Sequence, residues 1–268
     1  MKNPLLLAVV ALLLLLPSLA TVRLYLDTPP LPLVVALASA ALVGGAVLLL
    51  ARPGRAAAAL AAGFAWGALV AAFFASALND LAMLWMTDWG GDERAAAVTP
   101  VLFAPAIEEL AKASALWLLL LLRRPFRLSL GAACGALVGI GFAMTENVQY
   151  FLIAVIAGGT AGLGQAVYTR ALLGGFNHAL FSAWTAVGVA WAVNTRAPAW
   201  RRAGGVAAGL LVAIALHVLW NAIAARAISE ILCNPASAGG PCRGAPSAFS
   251  LLVRAPLVEI AFLAPGAA

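Results

Sequence analysis

The chain has 268 residues, of which 64% are hydrophobic and only 10% charged, against about 25% charged in soluble domains. That balance excludes a soluble globular enzyme and implies an integral membrane protein. A formal charge of +6 would suggest nucleic acid in a soluble protein, but here the basic residues follow membrane topology.

A helical span needs about 20 apolar residues. Apolar runs fall near residues 4–22, 31–51, 56–78, 95–122, 128–156, 171–193, 203–226 and 247–264. The expected fold is all-α, a polytopic transmembrane bundle of about eight spans that forms a single membrane domain over residues 1–268. The first run begins after Lys2 and ends at Ser18-Leu19-Ala20, a small-residue pattern that a signal peptidase also reads. Its length favours a retained span. The last run contains Arg254, Pro256 and Glu259, so it is either a span or an interfacial or re-entrant segment.

With the N-terminus cytoplasmic, the inner segments carry Lys2, Arg52, Arg55, Arg123, Arg124, Arg127, Arg196, Arg201 and Arg202 and no acid. The outer segments hold Asp27, Asp80, Asp88, Asp92, Glu93 and Glu230 against scattered single arginines, the positive-inside pattern. The implied partner is the lipid bilayer of the inner, cytoplasmic membrane, with no nucleic acid. The longest non-apolar stretches are the outer loops near residues 79–94 and 227–246. In the second of these, Cys233 and Cys242 bound CNPASAGGPC, whose Pro and Gly content lets the ends meet on the oxidising face; they are a disulfide candidate. Cys134 lies in the fifth span, where a small apolar role suits it.

Within the spans, polar residues are few: Glu108, Glu109 and Lys112 in the fourth, Glu146 and Asn147 in the fifth, Asn177 and His178 in the sixth, His217 and Asn221 in the seventh. Both histidines of the chain are among them. An intramembrane charge costs at least about 2.5–3.5 kcal/mol on insertion scales, so these residues need mutual neutralisation or a function. Counted from the outer ends of their spans, Glu108, Glu146, His178 and His217 lie about 13, 10, 7 and 9 residues deep, which at about 1.5 Å per residue is one layer. Structural polar residues have no reason to share a depth; a site built from four helices does. Lys112 follows Glu108 by four and Glu109 by three, within reach of both carboxylates. His217 and Asn221, four apart, point to one side of their helix.

The ordered set EELAK at 108–112, FAMTEN at 142–147, the histidine of FNHAL at 176–180 and HVLWN at 217–221 resembles the PrsW family of membrane-embedded proteases, distantly related to the CAAX-processing and bacteriocin-processing membrane proteases. The resemblance is strongest over residues 100–225. It implies hydrolysis of peptide bonds in membrane-protein substrates, such as the first cut of an anti-sigma factor in regulated proteolysis. It also implies Glu108, Glu109, Glu146, His178 and His217 as the active residues, supported by Lys112, Asn147 and Asn221.

Peptide hydrolysis needs an activated water, a proton for the leaving amine and stabilisation of the oxyanion. Glu108 or Glu109 can act as general base, and His178, His217 or an Asn can face the oxyanion. The same residues allow two mechanisms. Water is activated by glutamate alone, with no cofactor, or His178, His217 and Glu146 hold a Zn2+ ion with one position left for water; the usual helical zinc signature HExxH is absent. A proton-coupled transporter or channel built on the same Glu, His and Lys cluster is the alternative from another class. It calls for carboxylates at several depths and internal repeats, neither of which the sequence shows.

Overall fold

The structure, a computed structural model, describes residues 4–122 and 127–232. Arg123 and Arg124, the loop with Cys233 and Cys242, and the last apolar run near residues 247–264 lie outside these residues. Among the described residues the chain is helical with no strand, as expected where no water is present to satisfy a backbone N–H or C=O. Four stretches are long and apolar enough to cross a membrane: Pro30–Ala51, Ala57–Gly90, Leu128–Asn194 and Ala199–Ala224.

Helix α1 (Pro4–Asp27) is followed by α2 (Pro30–Ala51), which Pro30 starts in a position where its missing N–H costs nothing. Arg52, in the left-handed region at φ 46°, closes α2. A long rod follows, made of α3 (Ala57–Trp66), a π-helical turn at Gly67–Ala71 and α4 (Ala72–Gly90). The sequence reading placed a loop near residues 79–94. The helix instead continues through its polar residues to Gly90, and the break falls at Gly91, whose φ of 79° suits glycine. The short α5 (Asp92–Val98) places Asp92 and Glu93 at its first turn, where the helix dipole favours acids. A second π-helical turn, Thr99–Phe103, leads into α6 (Ala104–Leu122).

Helix α7 (Leu128–Val167) outruns its predicted end near 156 because Gly159, at φ 60° and ψ −146°, reverses the chain and lets a short helical arm resume beyond it. A third π-helical turn, Tyr168–Leu173, then feeds α8 (Asn177–Asn194), and α9 (Ala199–Leu232) completes the described bundle. A π-helical turn swings carbonyls out of the helical ladder. In an apolar interior they need other donors. Thr145 Oγ1 donates to Ala68 O at 2.7 Å, Thr21 Oγ1 to Leu69 O at 3.3 Å and Asn221 Nδ2 to Pro100 O at 2.9 Å, so two of these turns also tie separate helices together.

Helix α7 is the central post: α2 and α3 pack on it, and so does α8, which in turn contacts α6 and α9. Val138, Ile140, Leu60, Leu116 and Val189 fill the core around it. Its glycines set the spacing. A Cβ on Gly139 would meet the His178 carbonyl, and one on Gly135 would meet that of Ser182, so only a bare backbone lets α8 approach far enough to bring His178 inward. Gly139→Ala should therefore destabilise the protein by about 1–3 kcal/mol through forced separation of α7 and α8. Gly45→Ala, where no atom lies within 4 Å of the added carbon, should be neutral or slightly stabilising; thermal unfolding in detergent distinguishes the two.

Candidate active site

Four helices and one turn each carry an ionisable side chain to the same place. On α6, Glu108, Glu109 and Lys112 are 4%, 1% and 1% exposed. Lys112 Nζ lies 2.5 Å from Glu109 Oε1 and 3.0 Å from His178 Nδ1 on α8. His178 Nε2 lies 3.0 Å from Glu146 Oε2 on α7, and the same oxygen accepts Arg170 Nη2, from the π-helical turn, at 2.6 Å. In the other direction, His217 Nδ1 on α9 is 2.9 Å from Glu109 Oε1, and its Nε2 is 3.7 Å from Glu108 Oε2. Asn79 Nδ2 on α4 donates to the other Glu108 oxygen at 3.3 Å.

The order of donors and acceptors fixes the ring protons. A lysine ammonium has only hydrogens to offer, so His178 Nδ1 accepts and its Nε2 carries the proton given to Glu146. Glu109 Oε1 only accepts, so His217 Nδ1 is the donor and its Nε2 presents a lone pair toward Glu108. Two cations, Lys112 and Arg170, thus face three carboxylates. Lys112 neutralises Glu109 and Arg170 neutralises Glu146. Glu108 has only an amide, and its Oε2 is buried without a hydrogen-bond partner.

Two acceptors that face each other are satisfied by a proton or by a metal ion between them. At 3.7 Å the His217 Nε2 to Glu108 Oε2 separation exceeds the roughly 2.7–3.2 Å of an N–H···O hydrogen bond. It is close to the distance of about 3.4 Å between two tetrahedral ligands whose bonds to zinc are about 2.1 Å. Ligand atoms of Glu108, His178 and His217 all lie within 4.8 Å of one another. The donor set of two imidazoles and one carboxylate fits a divalent ion of the zinc type, with Glu109 behind His217 in the position of the carboxylate that orients a ligating histidine.

The five residues expected to act together are therefore joined by contacts. The detail differs from the sequence reading in three respects. Lys112 bonds Glu109 and His178, not both glutamates, because residues three and four along a helix diverge by almost a third of a turn. The carboxylate that groups with the two histidines is Glu108, while Glu146 is engaged by Arg170. Asn221 faces not the site but the Pro100 carbonyl, and Asn147 accepts Arg170 Nε at 2.9 Å. Sequence reasoning missed Arg170 and Asn79, both assigned to outer segments. The signal available for Arg170 was a charge deficit, since Glu146 had no cation of its own.

The sequence model of the PrsW family intramembrane metalloproteases matches residues 55–239, which includes α3 through α9 and every residue of the cluster. No curated protein and no solved structure matches the chain.

Lys112→Met should destabilise the protein by about 3–5 kcal/mol, the cost of leaving a buried partner charge unpaired, and Lys112→Met combined with Glu109→Gln should recover most of that loss. Arg23→Gln, which breaks a pair whose side chains are 83% and 67% exposed, should cost less than about 1 kcal/mol. Thermal unfolding of the purified variants measures all three.

Proposed function

The chain belongs to the PrsW family of intramembrane metalloproteases, and from that membership we propose how its own residues divide the work of cutting a peptide bond in the membrane. The observation that carries the proposal is the pair of facing acceptors, His217 Nε2 and Glu108 Oε2, at 3.7 Å in a cluster one positive charge short. Glu108, His178 and His217 would hold a divalent ion, which we assign as zinc on the imidazole and carboxylate donor set. When bound it supplies a Lewis acid that acidifies a water and polarises the scissile carbonyl. His178 contributes the Nδ1 lone pair that Lys112 otherwise occupies.

Glu109 is the general base. Its Oε1 is anchored by Lys112 and by His217, and its Oε2 is buried with no partner, so one oxygen fixes the carboxylate while the other accepts the proton of the attacking water. The proton then passes from Glu109 to the amine that leaves. Asn79 sets the Glu108 carboxylate, and the Asn221 bond to Pro100 ties α9 to the turn before α6, which holds His217 opposite the two glutamates.

The substrate class is a membrane protein with a single apolar helix, locally unwound to expose a peptide bond; anti-sigma factors belong to that class. The distribution of arginines supports a multi-pass protein of the cytoplasmic membrane with its N-terminus inside. Family membership removes the transporter reading.

Purified protein incubated with single-span reporter substrates tests the assignment. Glu109→Gln keeps shape and hydrogen bonding but cannot accept a proton, so it should lose about 10²–10⁴-fold in rate. Chelation should abolish wild-type cleavage and added zinc should restore it. Cleavage by Glu109→Gln at the wild-type rate rejects the base, and wild-type cleavage that resists chelation rejects the metal.

A further inference from the structure

Arg170 lies outside the four motifs that carry the family resemblance and outside the roles assigned above, yet it is built into the cluster. Its guanidinium makes three different contacts with α7: Nη2 to Glu146 Oε2 at 2.6 Å, Nε to Asn147 Oδ1 at 2.9 Å, and Cζ over the Tyr150 ring, 3.8 Å from its centroid. The π-helical turn Tyr168–Leu173 brings it there, and the chain leaves that turn through Gly174 and Gly175 before α8 begins. Two hydrogen bonds from different nitrogens and one cation–π contact fix the group, a geometry open to arginine and not to lysine.

We infer that Arg170 is a positioning residue for peptide cleavage, which clamps the Glu146 carboxylate and through it sets the ring of His178. The link is a single atom. Glu146 Oε2 takes both Arg170 Nη2 and His178 Nε2, so any movement of the guanidinium is transmitted to the histidine. The far edge of that ring meets Lys112 at Nδ1. His178 is therefore held between two cations, Lys112 directly and Arg170 through a carboxylate, and the direction of its Nδ1 lone pair is set from behind.

A plain staple between the turn and α7 is the competing account. Against it stands the sharing of the carboxylate. A staple needs no bond from Glu146 to His178, and a charged pair in an apolar surrounding is a poor way to gain stability alone. The proposal rests on the assignment of His178 as a ligand.

The test is a double-mutant cycle between Arg170 and Glu146, read in two ways on the purified full-length protein: kcat and KM with a single-span reporter, and affinity for Co2+ measured by competition with a chelating dye. Arg170→Gln should lower kcat and Co2+ affinity by about 10–100-fold, the usual effect of removing a group that orients a ligand, with KM within about twofold because substrate is not touched. In the Glu146→Gln background Arg170→Gln should have no further effect on either quantity, since the path is already cut. Wild-type kcat and Co2+ affinity in Arg170→Gln overturn the proposal. So does an equal loss in both backgrounds, which is the signature of a staple. Should Arg170→Gln fail to fold, Arg170→Lys carries the test: a kcat lowered several-fold at unchanged KM supports the proposal, and a wild-type kcat overturns it. A wild-type protein that neither cleaves nor binds Co2+ defeats the protease assignment and this inference together, whereas the other outcomes leave that assignment standing.

Discussion

Lys112 and Glu109 lie 2.5 Å apart with side chains 1% and 0% exposed. Neither is tenable there without the other, because an isolated charge in an apolar interior costs several kcal/mol even after relaxation. Their pairing determines what the remaining groups can do. With its charge committed to Glu109, the lysine hydrogen-bonds one further acceptor among the described residues, His178 Nδ1. That fixes the tautomer of His178 and turns its N–H toward Glu146. With one oxygen shared between Lys112 and His217, Glu109 fixes the tautomer of the second histidine as well. Glu108 is the carboxylate left over. The place where a cation would sit is thus beside Glu108, the carboxylate that neither Lys112 nor Arg170 pairs.

The fold serves this arrangement at a few identifiable positions. The side chains come from α4, α6, α7, α8, α9 and the turn before α8, and in lipid no hydrophobic force pulls such helices together. Bare glycines on α7 permit the approach of α8 that carries His178. Widened π-helical turns supply carbonyls that side chains from other helices satisfy, as Asn221 does at Pro100 and Thr145 at Ala68. Phe181 stacks on His217 with centroids 4.8 Å apart and Phe142 packs beside His178 at 5.4 Å, so the two imidazoles have apolar walls as well as polar partners.

Much of the site was legible in the sequence because the membrane makes ionisable residues conspicuous. Glu108, Glu109, Lys112, Glu146, His178 and His217 stand out against Leu and Ala, and their shared depth followed from counting along the spans. What the sequence does not hold is direction. Which glutamate pairs with Lys112, and which joins the two histidines, depends on helix rotation and on Arg170, a residue beyond the apolar run and so read as a loop charge. Asn79 was hidden for the same reason. The polar stretch NDLAMLWMTDW looks like a loop by composition, but α4 runs on through it to Gly90. Gly159 misled in the opposite sense: a single positive φ extends α7 into an arm that no run of hydrophobic residues announces.

The central claim is that Glu108, His178 and His217 form a cation site created by a deficit of one positive charge. X-ray absorption spectroscopy on the purified protein loaded with one equivalent of zinc tests it most directly. The account predicts a first shell of nitrogen and oxygen only, with the scattering signature of two imidazoles, reduced to one imidazole in His217→Ala. A first shell that contains sulfur, or a spectrum that His217→Ala leaves unchanged, would contradict it.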